Sequence, residues 1–358
     1  MDVQLLNQLL TAGVKHGASD IHFFVGVPPC YRMKGTLVPI KGKSLDPLDT
    51  QKVAELILRN DNRVHIEEIH EYDTSYSIPN LSRFRVNIFR QRGSFGIVLR
   101  IIPPEIPTID SLNLPEVIRK VTFEERGMVL VTGVTGSGKS STLAAMVNEI
   151  NRTRNGKHIL TIEDPIEYLH SHQKSYISQR EVERDTGGFA AALRAALRQD
   201  PDIILVGEMR DHDTVDTAIK AAETGHLVFS TAHTTDAAKT IGRIVSVFPP
   251  QAQLATRFRL AEALVATISQ RLLPRSDATG RVPAVEIMIV TPRVREYIVD
   301  AEKTAGLKDV IAEGHVQYGM QTFDMHLSRL YKDNLISLEV ARSAATSPAD
   351  FERALSFD

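Results

Sequence analysis

Cysteine is nearly absent from this chain of 358 residues: Cys30 is the single one, so no internal disulfide and no cysteine-rich zinc site can form. That usage suits a reducing compartment. An excess of either charge is also missing. The 42 Lys and Arg stand against 44 Asp and Glu, a formal net charge of −2, so nothing global favours nucleic acid or an anionic membrane as the main partner. Long apolar runs are lacking too. No stretch approaches the roughly 18 residues that a membrane-crossing helix needs, so any membrane association is expected to run through a partner. The N-terminal stretch has no basic segment, and Val3, Leu5, Leu6, Leu9, Leu10 and Val14 fall at helical spacing, so it is not expected to be a targeting segment. What is present, 42% hydrophobic and 24% charged residues, is the composition of a globular chain with sizeable cores, and the length suggests about two domains.

Residues 1–102 read as an α+β domain. An amphipathic helix over about 3–16 precedes short strands at 21–25, 31–33, 36–40, 84–89 and 97–102, and a second helix spans 49–59. Pro103, Pro104 and Pro107 then crowd into five residues, which neither continue a strand nor start a long helix, and 103–118 is assigned as a linker. Over 119–291 the pattern becomes strand–helix alternation. Apolar runs at 128–132, 158–163, 203–207 and 227–231 read as strands buried on both faces, separated by helical patterns at 139–150, 188–198 and 214–223. Such alternation predicts a mostly parallel α/β sheet. Residues 292–358 read as helical, with Phe323, Leu327, Leu330 and Tyr331 in one apolar stripe.

The most specific signal is Gly133-Val134-Thr135-Gly136-Ser137-Gly138-Lys139-Ser140, a full G-x-x-x-x-G-K-[ST] with a buried strand before it and a helix, opening at Lys139 and Ser140 and continuing through Ser141, after it. Glycines let backbone N–H groups curl around phosphates, and the helix N-terminus adds a positive dipole. Lys139 is expected to reach the β- and γ-phosphates, and the Ser140 hydroxyl to ligate Mg²⁺. No guanine-reading N-K-x-D occurs, so ATP is preferred to GTP.

Two further strands end in acids. The run 203–207 delivers Glu208 to the sheet edge, just after Gly207, where many nucleotidases carry Asp, so Glu208 is the candidate to orient or deprotonate water or to hold Mg²⁺. Strand 158–163 ends in Glu163-Asp164-Pro165, and Glu163 with Glu208 would form a paired-acid site around Mg²⁺ and water. His233 lies past the end of strand 227–231 and could sense the γ-phosphate, whereas His226, at the far end, reads as structural; seven residues apart on one strand, the two cannot share a metal. Arg83, Arg85, Arg90, Arg92 and Arg100 cluster with no acid between them. A solvated strand face is the plain reading, and charge supplied to a neighbouring subunit's nucleotide is the sharper one.

In order, Ala18-Ser-Asp-Ile-His22, Phe84-Arg-Val-Asn87, the phosphate loop, Glu163-Asp-Pro-Ile-Glu-Tyr168, Gln179–Asp185, Leu197–Asp211, Ala222–Thr235 and Gly319–Asp324 make an ordered set. Through these the chain resembles, essentially end to end, the PilT-type ATPases of the type IV pilus within the secretion ATPase superfamily. The resemblance implies a PAS-like N-terminal domain, a RecA-like ATPase core and a small helical C-terminal region. It also implies a homo-hexamer at the cytoplasmic base of the pilus machine that hydrolyses Mg²⁺-ATP to retract the fibre for twitching motility. An inner-membrane platform protein would be its partner, with a paralogous retraction ATPase as the further candidate. By matching position, Gly133–Ser141 bind nucleotide and Ser140, Glu163 and Glu208 serve the metal. Glu208, Glu163 and His233 serve hydrolysis, with Arg85 and Arg100 reaching across subunits. Two departures stand out: Val134 replaces a common proline, and the family's A-I-R-N-L motif survives only as Arg295 within Pro292–Ile298. The second admits a PilU-like accessory role. A GspE/PilB-type assembly ATPase would carry a four-cysteine zinc insertion, and a DNA-translocating motor a basic channel; neither is visible.

Overall fold

The computed structural model describes residues 2–357 except Asn60, Asn62, Asn80 and Pro104. The linker proline Pro104 therefore lies outside the described residues. The chain divides into two compact units, Met1–Glu105 with Glu167–Leu169, and Ile106–Ile166 with His170–Asp358. Among the described residues no helix is long and apolar enough to cross a membrane.

In the first unit, helix α1 (Val3–Lys15) starts where the Asp2 side chain accepts the Leu5 N–H, and α2 (Pro47–Leu58) starts at a reciprocal Asp46/Asp49 capping box with Pro47 in its first turn. Six strands, β1 (Asp20–Phe23), β2 (Cys30–Met33), β3 (Thr36–Pro39), β4 (Glu71–Ile78), β5 (Ser82–Gln91) and β6 (Ser94–Ile101), form an antiparallel sheet in the order β3-β2-β1-β6-β5-β4. Strand alternation sends Ile21, Phe23, Phe84, Val86, Ile88, Ile97 and Leu99 into a core shared with Leu6, Leu10, Val53 and Ile57. The other face takes the remaining side chains. There Arg32, Asp20, Arg100 and Arg85 stand in one register row across β2, β1, β6 and β5.

The second unit opens with α3 (Glu116–Thr122), so the last residues of the expected 103–118 linker are helical. Its sheet holds β7 (Gly127–Thr132), β8 (His158–Glu163), β9 (Tyr176–Glu181), β10 (Ile203–Val206), β11 (Leu227–Ala232), β12 (Leu264–Pro274) and β13 (Arg281–Ile289), in the order β13-β12-β7-β11-β10-β8-β9. All neighbours run parallel except β13, an antiparallel edge on β12. The helices α4 (Lys139–Thr153), α5 (Phe189–Ala196), α6 (His212–Glu223), α7 (Ala237–Ser246) and α8 (Pro250–Ala263) belong to this unit. Residues of β7 alternate between two cores, Val129 and Val131 in one, Met128 and Leu130 in the other. Burial on both faces is why these strands read as unbroken apolar runs.

After β13 the chain continues through α9 (Pro292–Val299), α10 (Leu307–Glu313), α11 (His315–Tyr318), α12 (Phe323–Lys332), α13 (Leu338–Ala344) and α14 (Pro348–Phe357). Phe323, Leu327 and Leu330 form a core with Leu273, Val282 and Ala284. The Arg271 guanidinium stacks on the Phe323 ring at 4.0 Å and donates to the Ala344 carbonyl, tying this helical region to β12.

The α/β class and the mostly parallel core sheet agree with the sequence expectation. Four strands were not anticipated there: β4, β9, β12 and β13. β4 is an edge strand whose Tyr72, Tyr76 and Ile78 alternate with polar residues and pack against the core, a period-2 pattern that the reading passed over, and β12 follows α8 directly at Ala263/Leu264 with no glycine or proline between them. β13 contains Pro283, which argues against a strand unless it lies at an edge, as this one does.

Candidate active site

The site forms at the C-terminal ends of the parallel strands, where an open α/β sheet leaves its crevice. β7 stops at Thr132, and the chain curls through Gly133, Gly136 and Gly138 at φ of +146°, +79° and +88°, values that a side chain would strain. Gly138 caps α4, so the first helical residue is Lys139 itself. The lysine is buried, and its Nζ donates to the carbonyls of Gly133 (2.9 Å) and Val134 (3.1 Å), which places the ammonium inside the ring of loop amides. Val134, Thr135 and Gly136 are exposed at the rim, Ser137 is buried, and Ser140 and Ser141 lie half-buried in the first turn of α4.

Two strands away from β7, β10 ends at Val206, and Gly207 donates to the Ile162 carbonyl of β8. A Cβ on Gly207 would lie 3.2 Å from that carbonyl, so the close approach of β8 and β10 favours glycine where an aspartate was looked for. The next residue, Glu208, is three-quarters buried. Its Oε2 is 2.8 Å from the Arg210 guanidinium and 3.7 Å from His233 Nε2. Burial first, and then the charge on Lys139, push the His233 imidazole below its ordinary pKa, while Glu208 pulls the other way. Lys139, Glu208 and His233 thus share one electrostatic neighbourhood. Glu163, at the end of β8, has its Oε1 held by the Thr161 hydroxyl (2.6 Å) and the Gln179 amide (3.1 Å). His226 sits at the opposite end of β11, its Nδ1 3.0 Å from the Ala221 carbonyl.

Arg85 and Arg100 lie in the N-terminal unit, directly paired across β5 and β6. Arg100 Nε donates to Asp20 Oδ1 at 2.9 Å. Burial alone would raise the Asp20 carboxyl, but the hydrogen bonds from Ser19 and Arg100 outweigh it and hold its pKa below the usual range.

Reading the residues alone missed Arg210 and Gln270. Arg210 stood inside a quoted motif, two residues from Glu208, and that spacing was its only signal. Gln270 lies on β12, a strand that the apolar pattern did not disclose, and between Ser269 and Arg271 it left no signal in the sequence. Among the described residues no group of three or more His, Cys, Asp or Glu could hold a metal ion. The oxygen donors Ser140, in the first turn of α4, and Glu163 and Glu208, at strand ends, fit instead a hard cation held by one or two protein oxygens, water and phosphate.

A family model described as Type II/IV secretion system protein matches residues 2–325. The chain is 49% identical over 349 residues to the Type IV pilus retractation ATPase PilT of Pseudomonas aeruginosa, covering 97% of this chain and 99% of that one. To the Type IV pilus ATPase PilU of the same organism it is 39% identical over 343 residues, 96% of this chain and 89% of the relative. Among solved structures, the pilus retraction motor PilT with bound ADP superposes with a TM-score of 0.88 at 45% identity, over 97% of this chain and 98% of that one.

Proposed function

The chain belongs to the Type II/IV secretion system protein family and is an ATPase; from that premise we propose that it is the motor that retracts a type IV pilus, the activity behind twitching motility. The end-to-end similarity to the retraction ATPase at 49% identity carries this reading, and the lower identity to PilU, 39%, makes the accessory role the second choice.

In this reading the amides of Gly133–Ser141 and the Lys139 ammonium receive the phosphates of ATP, as ADP is bound in the PilT structure. Lys139 needs only to exchange two loop carbonyls for phosphate oxygens. Ser140, Glu163 and Glu208 would hold Mg²⁺, which when bound would supply charge neutralisation on the phosphates. Glu208 orients and deprotonates the attacking water beside His233, whose ring burial and the Lys139 charge bias toward the neutral form. Arg210 holds the Glu208 carboxylate in place between turnovers. Arg85 and Arg100 act on the nucleotide of a neighbouring subunit in a homo-hexamer. The ring works at the cytoplasmic side of the inner membrane, against a platform protein, with a paralogous ATPase as the further candidate partner.

Specific ATPase activity measured against protein concentration, with light scattering on the same samples, tests this. Activity per subunit should climb as the ring assembles. Flat activity per subunit across the assembly range would remove the shared site and the two arginines from the reading.

A further inference from the structure

The structure assigns a role to Gln270 that nothing above requires: from the neighbouring strand β12, it aims the phosphate-binding amide of Gly138. Gln270 is 2% exposed, and its Nε2 donates to the Ser137 carbonyl at 2.7 Å. The amide can face that way only with its NH₂ toward the loop, because the opposite orientation would set two oxygens against each other. A trans peptide holds its C=O and the following N–H antiparallel. Anchoring the Ser137 carbonyl toward β12 therefore turns the Gly138 N–H the other way, away from β12. This is the last loop amide before Lys139, and amides of such loops cradle phosphate.

The two glycines flanking this contact follow from the same approach. A Cβ on Gly133 would come within 2.5 Å of the Gln270 carbonyl oxygen, and one on Gly138 within 3.1 Å of Gln270 Nε2. The strand is itself fastened to the loop's base one residue earlier, where the Thr132 hydroxyl meets the Ser269 hydroxyl at 3.0 Å. β12 thus acts as a fixed rail beside the loop, and Gln270 is its one side chain bonded to the loop backbone among the hydrogen bonds described. Gln270 is a positioning residue: it acts on phosphate through Ser137 and Gly138.

The test pairs Gln270→Met, similar in length but without a donor, with Gln270→Glu. For the Met variant, ADP Kd and the KM for ATP should each rise about tenfold, the size of one buried hydrogen bond, with kcat changing less than KM and the nucleotide-free melting temperature near the parent's. The Glu variant lacks the donor when ionised and regains it when protonated. Its ADP affinity should therefore improve as pH falls, relative to the parent and the Met variant at each pH. A folded Met variant with Kd and KM within about twofold of the parent would overturn the assignment. So would a loss confined to kcat and melting temperature, which would make Gln270 a packing residue only.

Discussion

The two units solve the sheet problem in opposite ways, and chemistry settles in different places as a result. The N-terminal sheet shares an apolar core with α1 and α2 on one face, so its strands alternate and the second face is free to carry Arg32, Asp20, Arg100 and Arg85 in a row. The second sheet is buried on both faces. Its strands β7, β10 and β11 have no exposed position, and the charged residues of the site stand at or beyond their ends. A sheet buried on both sides displays function only at its edges. One buried on a single side can display it along a whole face.

The comparison breaks most visibly at a strand end. Glu208→Gln keeps the shape and removes the charge, and should lower turnover roughly 10²- to 10⁴-fold while nucleotide still binds. Steady-state turnover beside ADP titration checks this, and unchanged turnover would strip Glu208 of its role.

A smaller effect is expected where the C-terminal helices meet the edge strand. His326 accepts the Val285 N–H at 2.9 Å on Nδ1 and is held at a pKa of about 4, first by burial and then by the Arg329 charge, against 6.5 for the free imidazole. The folded pKa lies below the unfolded one, so the unfolded chain takes up protons first. Stability is then lost as pH falls from about 6.5 toward about 4, by about 3 kcal/mol at the acid end. His326→Asn retains an acceptor without the titration, and its urea midpoints should depend less on pH across that window. An equally steep acid limb would assign the loss to other groups, His170 foremost, which is also held at about 4.

The smallest expected effect lies on the open face. Arg100→Ala removes an ion pair whose arginine side is 71% exposed but whose Asp20 side is 6% exposed; with Ser19 and Arg32 still facing Asp20, stability should fall by about 1–2 kcal/mol. Turnover of the assembled protein should still fall, by roughly tenfold or more, if the arginine serves a neighbour's nucleotide. Matching denaturation curves together with matching turnover would reduce the row to surface charge.

The features legible beforehand were local ones. Gly133–Ser140 announces its loop because each residue acts within eight positions, and the runs at 128–132 and 227–231 announce buried strands because burial on both faces leaves no polar interval. The placement of Glu163, Glu208 and His233 at strand ends was legible because a strand end followed by a polar residue is a short pattern. β12 escaped because nothing punctuates its junction with α8, and Gln270 escaped with it.

By itself, then, the sequence determined the helix caps, the alternating and continuous strands, the phosphate loop and the family that these compose. All depend on spacings of a few residues, where backbone geometry leaves little choice. The tertiary structure alone decided that Gln270 braces a loop 133 residues earlier, that Thr132 meets Ser269, and that Asp20 holds Arg100 from 80 residues away. Those pairings depend on the order in which strands enter a sheet, and strand order is a property of the whole core that no short stretch of sequence contains.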